Sequence, residues 1–251
     1  LAIIGQGYVG LPLAMAAVDA GWTVIGVDNF DAKVAQINGG SSPVEDISDA
    51  QLQAAITKGS YKATTDVSAV SQASVITICV PTPLDEKREP DLTLLRSAAT
   101  GIAPFVSNET LVVSESTSYP GTLRNEIAAR ITGVEHLYAS SPERVDPGNT
   151  QWGTKNTPRL IGGLTPAAVA KARDFYSTFC DSIIEVSSPE VAEAAKLFEN
   201  TFRQVNIALV NEFAQIAHSL GISVYETLDA ANTKPYGFMK FTPSAGVGES
   251  A

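Results

Sequence analysis

Cysteine and histidine are nearly absent: the 251 residues hold two of each. Cys79 and Cys180 lie far apart in sequence and make neither a disulfide framework nor a metal-ligand cluster. That points to a reducing compartment, the cytoplasm by default, and to no bound metal. Cys79 sits inside a strand-like run and Cys180 at the end of an amphipathic stretch, so both read as packed rather than reactive. His136 and His218 give no paired-histidine zinc motif, and the chain has no GxSxG segment, which together remove most hydrolases. His136 reads as a partly exposed strand residue and His218 as one that steadies the last turn of a helix. Positive charge is also short. The 17 Lys and Arg against 27 Asp and Glu leave a formal net charge of -10, which would repel a polyphosphate backbone and excludes nucleic acid as a partner. Apolar runs such as residues 75–80 fall far short of the roughly 20 residues that cross a membrane, and no charged-then-apolar leader precedes them, so no membrane partner is expected. What the chain does have is apolar content, 44% against 18% charged, enough for one large domain or two smaller ones.

Apolar runs rich in β-branched residues recur at 1–4, 23–27, 75–80, 110–113 and 136–139, with stretches of helical periodicity between them. Strand and helix in alternation predict a doubly wound, mostly parallel sheet, because parallel strands need crossover connections. Residues 159–162 and 182–186 read as two further strands, around a helix that opens at Thr165-Pro166. Residues 85–91 read as a solvated loop, and there is no internal repeat. From Ser188-Pro189-Glu190 no Gly or Pro interrupts the chain until Gly221, which predicts one long helix. Such a helix, about 48 Å long at 1.5 Å per residue, is longer than a small domain is wide, so part of it should pack on a second helix or a second subunit. The expected boundary divides residues 1–187, an α/β domain, from residues 188–251, a helical domain. The chain starts without methionine inside a strand, which suggests a piece of a longer protein.

The first strand runs into Gly5-Gln6-Gly7-Tyr8-Val9-Gly10 and then an Ala-rich helix. In that setting the first glycine makes a tight turn, the second admits a pyrophosphate and the third lets the helix pack on the strand, with phosphates at the helix N-terminus. The second strand ends in Asp28, where a carboxylate would bind the adenosine ribose hydroxyls and repel a 2′-phosphate. This predicts a Rossmann-type domain that binds NAD rather than NADP, with FAD a lesser rival. Three later strands run directly into loops that hold Pro81-Thr82, Glu115-Ser116-Thr117 and Glu143-Arg144, so Thr82, Thr117 and Glu143 should crowd one mouth. On the long helix Glu193, Lys196, Asn200 and Arg203 follow one another at steps of three, four and three residues and share one face. Spacing alone favours a solvated face with minor Glu193–Lys196 and Glu199–Arg203 ion pairs over part of a site, while the flanking Leu197, Phe198, Phe202 and Val205 count against a fully exposed face.

Taken in order, GQGYVGLPLA, CVPTPL, ESTSYPGT, SPERVDPGN and KLFENTFRQVNIALVNE resemble the signatures of the nucleotide-sugar (UDP-sugar) C6 dehydrogenases over nearly the whole chain. The ESTSYPGT and SPERVDPGN wording, with REPDL and TKPYGF, most resembles the branch acting on UDP-N-acetylglucosamine or related UDP-N-acetylhexosamines. The resemblance implies an NAD-dependent oxidation of a sugar C6 hydroxyl to the uronic acid, an activity of polysaccharide biosynthesis, through a cysteine thiohemiacetal and thioester. It implies that Glu143 assists water in thioester hydrolysis, that Lys196 and Asn200 stabilise the oxyanion at C6, and that Thr117 holds a water beside them. NAD would lie against Gly5, Gln6, Gly7, Tyr8, Val9, Gly10, Asp28, Lys33, Pro81, Thr82, Ser116 and Thr117, and the UDP-sugar against Glu143, Arg144, Lys196, Asn200 and Arg203. The long helix would form the core of a homodimer. The family continues through a PGxGxGGHC-like segment, whose cysteine is the nucleophile, into a carboxyl-terminal UDP-binding domain. Residues 244–251 read SAGVGESA, so Ser250 and Ala251 fall where His and Cys would stand. A polypeptide ending there is expected to bind NAD without converting the sugar. Two rival readings are a β-hydroxyacid dehydrogenase of the 6-phosphogluconate type, which Asp28 and the SPERVDPGN loop disfavour, and a non-catalytic NAD-binding and dimerisation module.

Asp28 makes a direct prediction. A 2′-phosphate beside its carboxylate is a like-charge contact worth several kcal/mol, so calorimetry should show NAD binding more than about tenfold tighter than NADP. Equal affinities would remove Asp28 from the cofactor site.

Overall fold

A computed structural model describes residues 1–131, 137–146, 149 and 151–245. Among these residues eight strands form one sheet: β1 (Ala2–Ile4), β2 (Val24–Val27), β3 (Tyr61–Thr64), β4 (Val75–Ile78), β5 (Leu111–Ser114), β6 (Leu137–Ser140), β7 (Arg159–Gly163) and β8 (Ile183–Glu185). Their order is β3-β2-β1-β4-β5-β6-β7-β8, and every neighbouring pair is parallel except β6 with β7. The helices are α1 (Gly10–Asp19), α2 (Asp31–Asn38), α3 (Asp49–Thr57), α4 (Thr93–Ile102), α5 (Pro166–Tyr176), α6 (Pro189–Ser219) and α7 (Val224–Ala231). This is the doubly wound, mostly parallel architecture that the alternation of strands and helices predicts. His136, Pro147, Gly148 and Thr150, and the segment 246–251 with Ser250 and Ala251, lie outside the described residues.

The period-two geometry of a strand explains the core. Leu1 and Ile3 join one apolar cluster with Leu13, Met15 and Phe175, whereas Ala2 and Ile4 join the cluster on the opposite face with Ile76, Leu95 and Ile127. Both faces are covered, so the central strands read as continuous apolar runs. β3 falls outside the runs expected from sequence. Its YKAT segment has Lys62 exposed between buried Tyr61 and Ala63, the pattern of an edge strand with one covered face.

The direction of the chain changes on either side of β1: β2 and β3 lie to one side and β4 to β6 to the other. The crevice at the carboxyl ends of β1 and β4 is therefore a topological switch point, where ligands of such sheets bind. Because β7 runs antiparallel to β6, Ser140 pairs with Gly162 and Ala139 with Gly163, and Arg159 at the start of β7 lies toward this same end of the sheet.

Packing divides the chain into two compact units, Leu1–Lys196 and Leu197–Ala251. In the second unit Asn211 on α6 exchanges two hydrogen bonds with the Ser244 backbone, at 2.8 and 3.0 Å, and Phe202 meets Phe241 edge-on. α6 is 31 residues long, as the uninterrupted span predicts, and His218 stands in its last turn.

The start of α1 sets a demanding tolerance. A Cβ on Gly10 would lie 1.9 Å from the Gly5 carbonyl oxygen, backbone that cannot yield, and 3.2 Å from Cγ2 of the buried Ile3 side chain. Gly10→Ala should therefore lower stability by about 2–3 kcal/mol, measured from the urea midpoint. An unchanged midpoint would show that α1 does not need this close approach.

Candidate active site at the switch point

The site begins at the turn between β1 and α1. Gly5 has φ 92°, a left-handed conformation, and its N–H donates to the Val27 carbonyl at 2.7 Å. Nothing stands within 4 Å of where a Cβ of Gly7 would be, so the middle of the turn is open to a pyrophosphate. α1 starts at Gly10 with no side-chain cap on its first N–H groups, which leaves donors for phosphate oxygens. Asp28 at the end of β2 ties this turn down. Its Oδ2 accepts from the Gln6 N–H at 2.9 Å and from Lys33 Nζ at 2.8 Å, and its Oδ1 accepts from the Phe30 N–H at 3.1 Å. The structure thus brings Gln6, Asp28 and Lys33 together. Tyr8 projects outward at 61% exposure. The Gln6 side chain is fully buried and serves the fold: Nε2 donates to the Ile3 carbonyl at 2.8 Å, and Oε1 accepts from the Tyr61 hydroxyl at 2.7 Å. Burial and the neighbouring Asp28 charge push the Tyr61 phenol well up, so it remains a donor.

The loops after β4, β5 and β6 meet beside this turn. Ser116 Oγ accepts from the Val80 N–H at 3.0 Å and donates to the Val80 carbonyl at 2.7 Å. Thr82 Oγ1 donates to the Thr117 carbonyl at 2.5 Å, so Pro81-Thr82 and Ser116-Thr117 lie side by side as expected from their strand ends. The Glu143 N–H donates to the Glu115 carbonyl at 3.2 Å, which sets the β6 loop against the β5 loop. Arg144 Nη1 donates to the Pro158 carbonyl at 2.7 Å.

Beneath Glu143 is a buried ionic cluster that sequence spacing did not single out. Arg159 Nη1 pairs with Glu115 Oε2 at 2.9 Å and Arg159 Nη2 with Glu143 Oε2 at 2.8 Å. The Tyr176 hydroxyl donates to Glu115 Oε1 at 2.6 Å, and the Arg159 guanidinium stacks 4.5 Å from the Tyr176 ring centre. Burial raises the Glu115 carboxyl above its ordinary range, against the pull of Arg159. Burial also pushes Glu143 upward, but the Arg159 guanidinium and the N–H groups of Val145 and Arg144 outweigh it and hold that carboxyl low. The available signal was an arginine opening one apolar strand and a glutamate closing another, positions that look alike whether solvated or buried.

Glu193 departs from the solvated-face reading. It is 2% exposed, and its two oxygens accept from the Gly121 N–H at 2.6 Å and the Leu123 N–H at 2.8 Å, clamping α6 to the loop that carries Thr117. Lys196 and Arg203 are half-buried and Asn200 is buried, on successive turns of the one helix.

Residues 1–180 match the model of the UDP-glucose/GDP-mannose dehydrogenase family, NAD binding domain, and residues 190–251 match that family's central domain. The chain belongs to this family. The UDP-N-acetyl-D-mannosamine dehydrogenase of Pyrococcus horikoshii is 37% identical over 255 residues, covering 99% of this chain and 60% of that protein. The UDP-N-acetyl-D-glucosamine 6-dehydrogenase of Pseudomonas aeruginosa is 34% identical, covering 97% and 58%. A solved structure of the UDP-D-ManNAc dehydrogenase from Pyrococcus horikoshii superimposes with a TM-score of 0.91 at 36% identity, over 100% of this chain and 62% of that one. The chain therefore spans 60% of the length of the first of these relatives.

Within this family fold the glycine turn and Asp28 fit NAD: the turn is open at Gly7 and the carboxylate that ends β2 is buried beside it. Neither cysteine fits a nucleophile. Cys79 is buried at the end of β4, where desolvation and the Glu115 charge push its thiol far up. Cys180 is buried beside the Thr154 carbonyl and its thiol is pushed up to about 11, chiefly by desolvation. In the folded protein at pH 8, iodoacetamide should modify neither residue within the time that labels both after denaturation, as read by mass spectrometry. Rapid native labelling of either would contradict this assignment.

Proposed function

We propose that the chain forms the NAD-binding and central part of an enzyme that oxidises the C6 hydroxyl of a UDP-N-acetylhexosamine to the uronic acid. The observation that carries this reading is the joining of the β4, β5 and β6 loops beside the dinucleotide turn, in a chain 37% identical to a UDP-N-acetyl-D-mannosamine dehydrogenase. UDP-N-acetylmannosamine is the first substrate to test and UDP-N-acetylglucosamine the second.

Converting an alcohol to an acid removes two hydrides and adds one water, and bound NAD supplies the hydride-accepting chemistry. The chain's residues do the rest. Gly5, Gly7, Gly10, Asp28 and Lys33 hold the dinucleotide, with Pro81, Thr82, Ser116 and Thr117 along its path. Glu143, held ionised, orients a water and takes its proton. Lys196 and Asn200, one helical turn apart, direct an ammonium and an amide at the oxygen that becomes negative at C6, while Thr117 holds a water beside them. Arg144 and Arg203 supply cations for the anionic substrate. The covalent thiohemiacetal and thioester that the resemblance implies would form on a thiol other than Cys79 and Cys180.

α6 also supports a homodimer. Phe198, Phe202, Val205, Leu209 and Ile216 recur along it at helical spacing and are exposed in the single chain. No described helix is long and apolar enough to cross a membrane.

The intact protein should release two NADH per UDP-N-acetylhexosamine, and absence of NADH with every such sugar would refute the reading. Oxyanion donors are worth about 3–4 kcal/mol each, so Lys196→Ala should lower kcat roughly a hundredfold or more while KM changes much less. Near-normal turnover would place Lys196 outside the chemistry.

A further inference from the structure

Arg159, Glu115 and Tyr176 lie behind Glu143, come from three different elements and have no part in the reading above. Glu115 follows β5, Arg159 opens β7 and Tyr176 closes α5, and all three are buried. Of the roughly four lone-pair directions of the Glu143 carboxylate, three are occupied among the described residues. Oε1 accepts from the N–H groups of Arg144 at 2.7 Å and Val145 at 2.9 Å, and Oε2 accepts from Arg159 Nη2 at 2.8 Å. That leaves the second lone pair of Oε2. The Glu143 side chain is 12% exposed, against 4% for Arg159 and 0% for Glu115, so Glu143 is the member of the cluster that water reaches.

We infer that Arg159 is a positioning residue for Glu143: locked from behind by Glu115 and Tyr176, its guanidinium sets the rotamer and the ionised state of that carboxylate and leaves one lone pair of Oε2 to accept a hydrogen from water. The inference rests on the reading of Glu143 as the group that assists water. A guanidinium suits the task because its planar fork reaches two carboxylates at once, here through Nη1 and Nη2, which an ammonium cannot do with the same geometry. Tyr176 fixes the fork from the other side by binding the far oxygen of Glu115 and by stacking on the guanidinium. Among the described residues the charged and titratable groups that face Glu143 are Arg159 from β7, Glu115 from the end of β5, the Cys79 thiol from the end of β4 and the Cys180 thiol after α5, with the Tyr176 phenol behind Glu115. Without the guanidinium, only the Arg144 and Val145 N–H groups would oppose burial, and Glu143 would stay protonated to higher pH.

Two measurements on the intact protein test this. Arg159→Met strands two buried carboxylates and can fail to fold, so Arg159→Lys, which keeps the charge and loses the fork, is the second variant. With side-chain carboxyl carbons of glutamate labelled, the Glu143 resonance is assigned by its disappearance in Glu143→Gln and followed against pH by NMR. It should titrate below the ordinary glutamate range in the parent protein and move upward in Arg159→Lys. An ordinary or raised titration in the parent, or an unmoved one in Arg159→Lys, overturns the inference. This readout needs no turnover, so it stands apart from the NADH assay that judges the substrate reading. In that assay Arg159→Lys should lower kcat about a hundredfold at little change in KM, and the acid limb of the kcat profile should shift to higher pH. A lowered kcat with the acid limb unmoved would make Arg159 merely structural.

Discussion

A guanidinium that cannot reach water must find its counter-charges inside the protein, and Arg159 finds them on segments that are remote in sequence. Glu115 follows β5, Glu143 follows β6 and Tyr176 ends α5, so satisfying one side chain fixes the carboxyl ends of two parallel strands, the reversed strand beside them and the helix packed beneath. Such a group tolerates little error, because removing one partner of a buried pair costs about 3–5 kcal/mol while the intact pair contributes far less. The cluster therefore acts as a constraint on geometry more than as a source of stability. It is also why the loop bearing Glu143 can be exact in position while it lies at the surface.

The dinucleotide end of the crevice obeys a similar logic with neutral groups. Gln6 is buried under the glycine turn, and every polar atom of its side chain is met, by the Ile3 and Gly5 carbonyls and by Tyr61. Gly26 makes that arrangement possible, since a Cβ there would lie 2.5 Å from the Tyr61 hydroxyl and 2.6 Å from the Gln6 amide. Asp28 then accepts from the Gln6 backbone N–H, so the acid that ends β2 and the glycine turn hold each other in place. The two ends of the crevice differ in chemistry: backbone N–H groups and a buried amide at the glycine turn, a guanidinium between two carboxylates at the β5 and β6 loops.

What was legible in the sequence was local. Strand alternation, the glycine spacing and the acid ending β2 each reflect a demand that a short stretch of backbone makes on its own residues, and the doubly wound sheet followed from them. β3 escaped because four residues at a sheet edge carry too little apolar pattern. Glu193 escaped because helical spacing groups it with Lys196, Asn200 and Arg203, whereas its carboxylate is claimed by the Gly121 and Leu123 N–H groups of a distant loop. Arg159 escaped for a related reason. Its burial depends on β7 running against β6, and no run of neighbouring residues encodes that reversal.

The eight-stranded sheet also has to end somewhere. Its outer strands, β3 and β8, are only four and three residues long, and each carries an exposed charge, Lys62 on one and Glu185 on the other. A row of unpaired backbone donors and acceptors would otherwise offer a template to any extended segment nearby, and joining it would strand these charges against the newcomer. At β3 the Lys62 charge opposes stacking of like edges, while at β8 Glu185 is held by Arg173 at 3.1 Å, an ion pair that a joining strand would have to cover or displace. Protection against edge pairing thereby falls to single side chains, and the exposed lysine that guards β3 is the same residue that breaks its apolar pattern in the sequence.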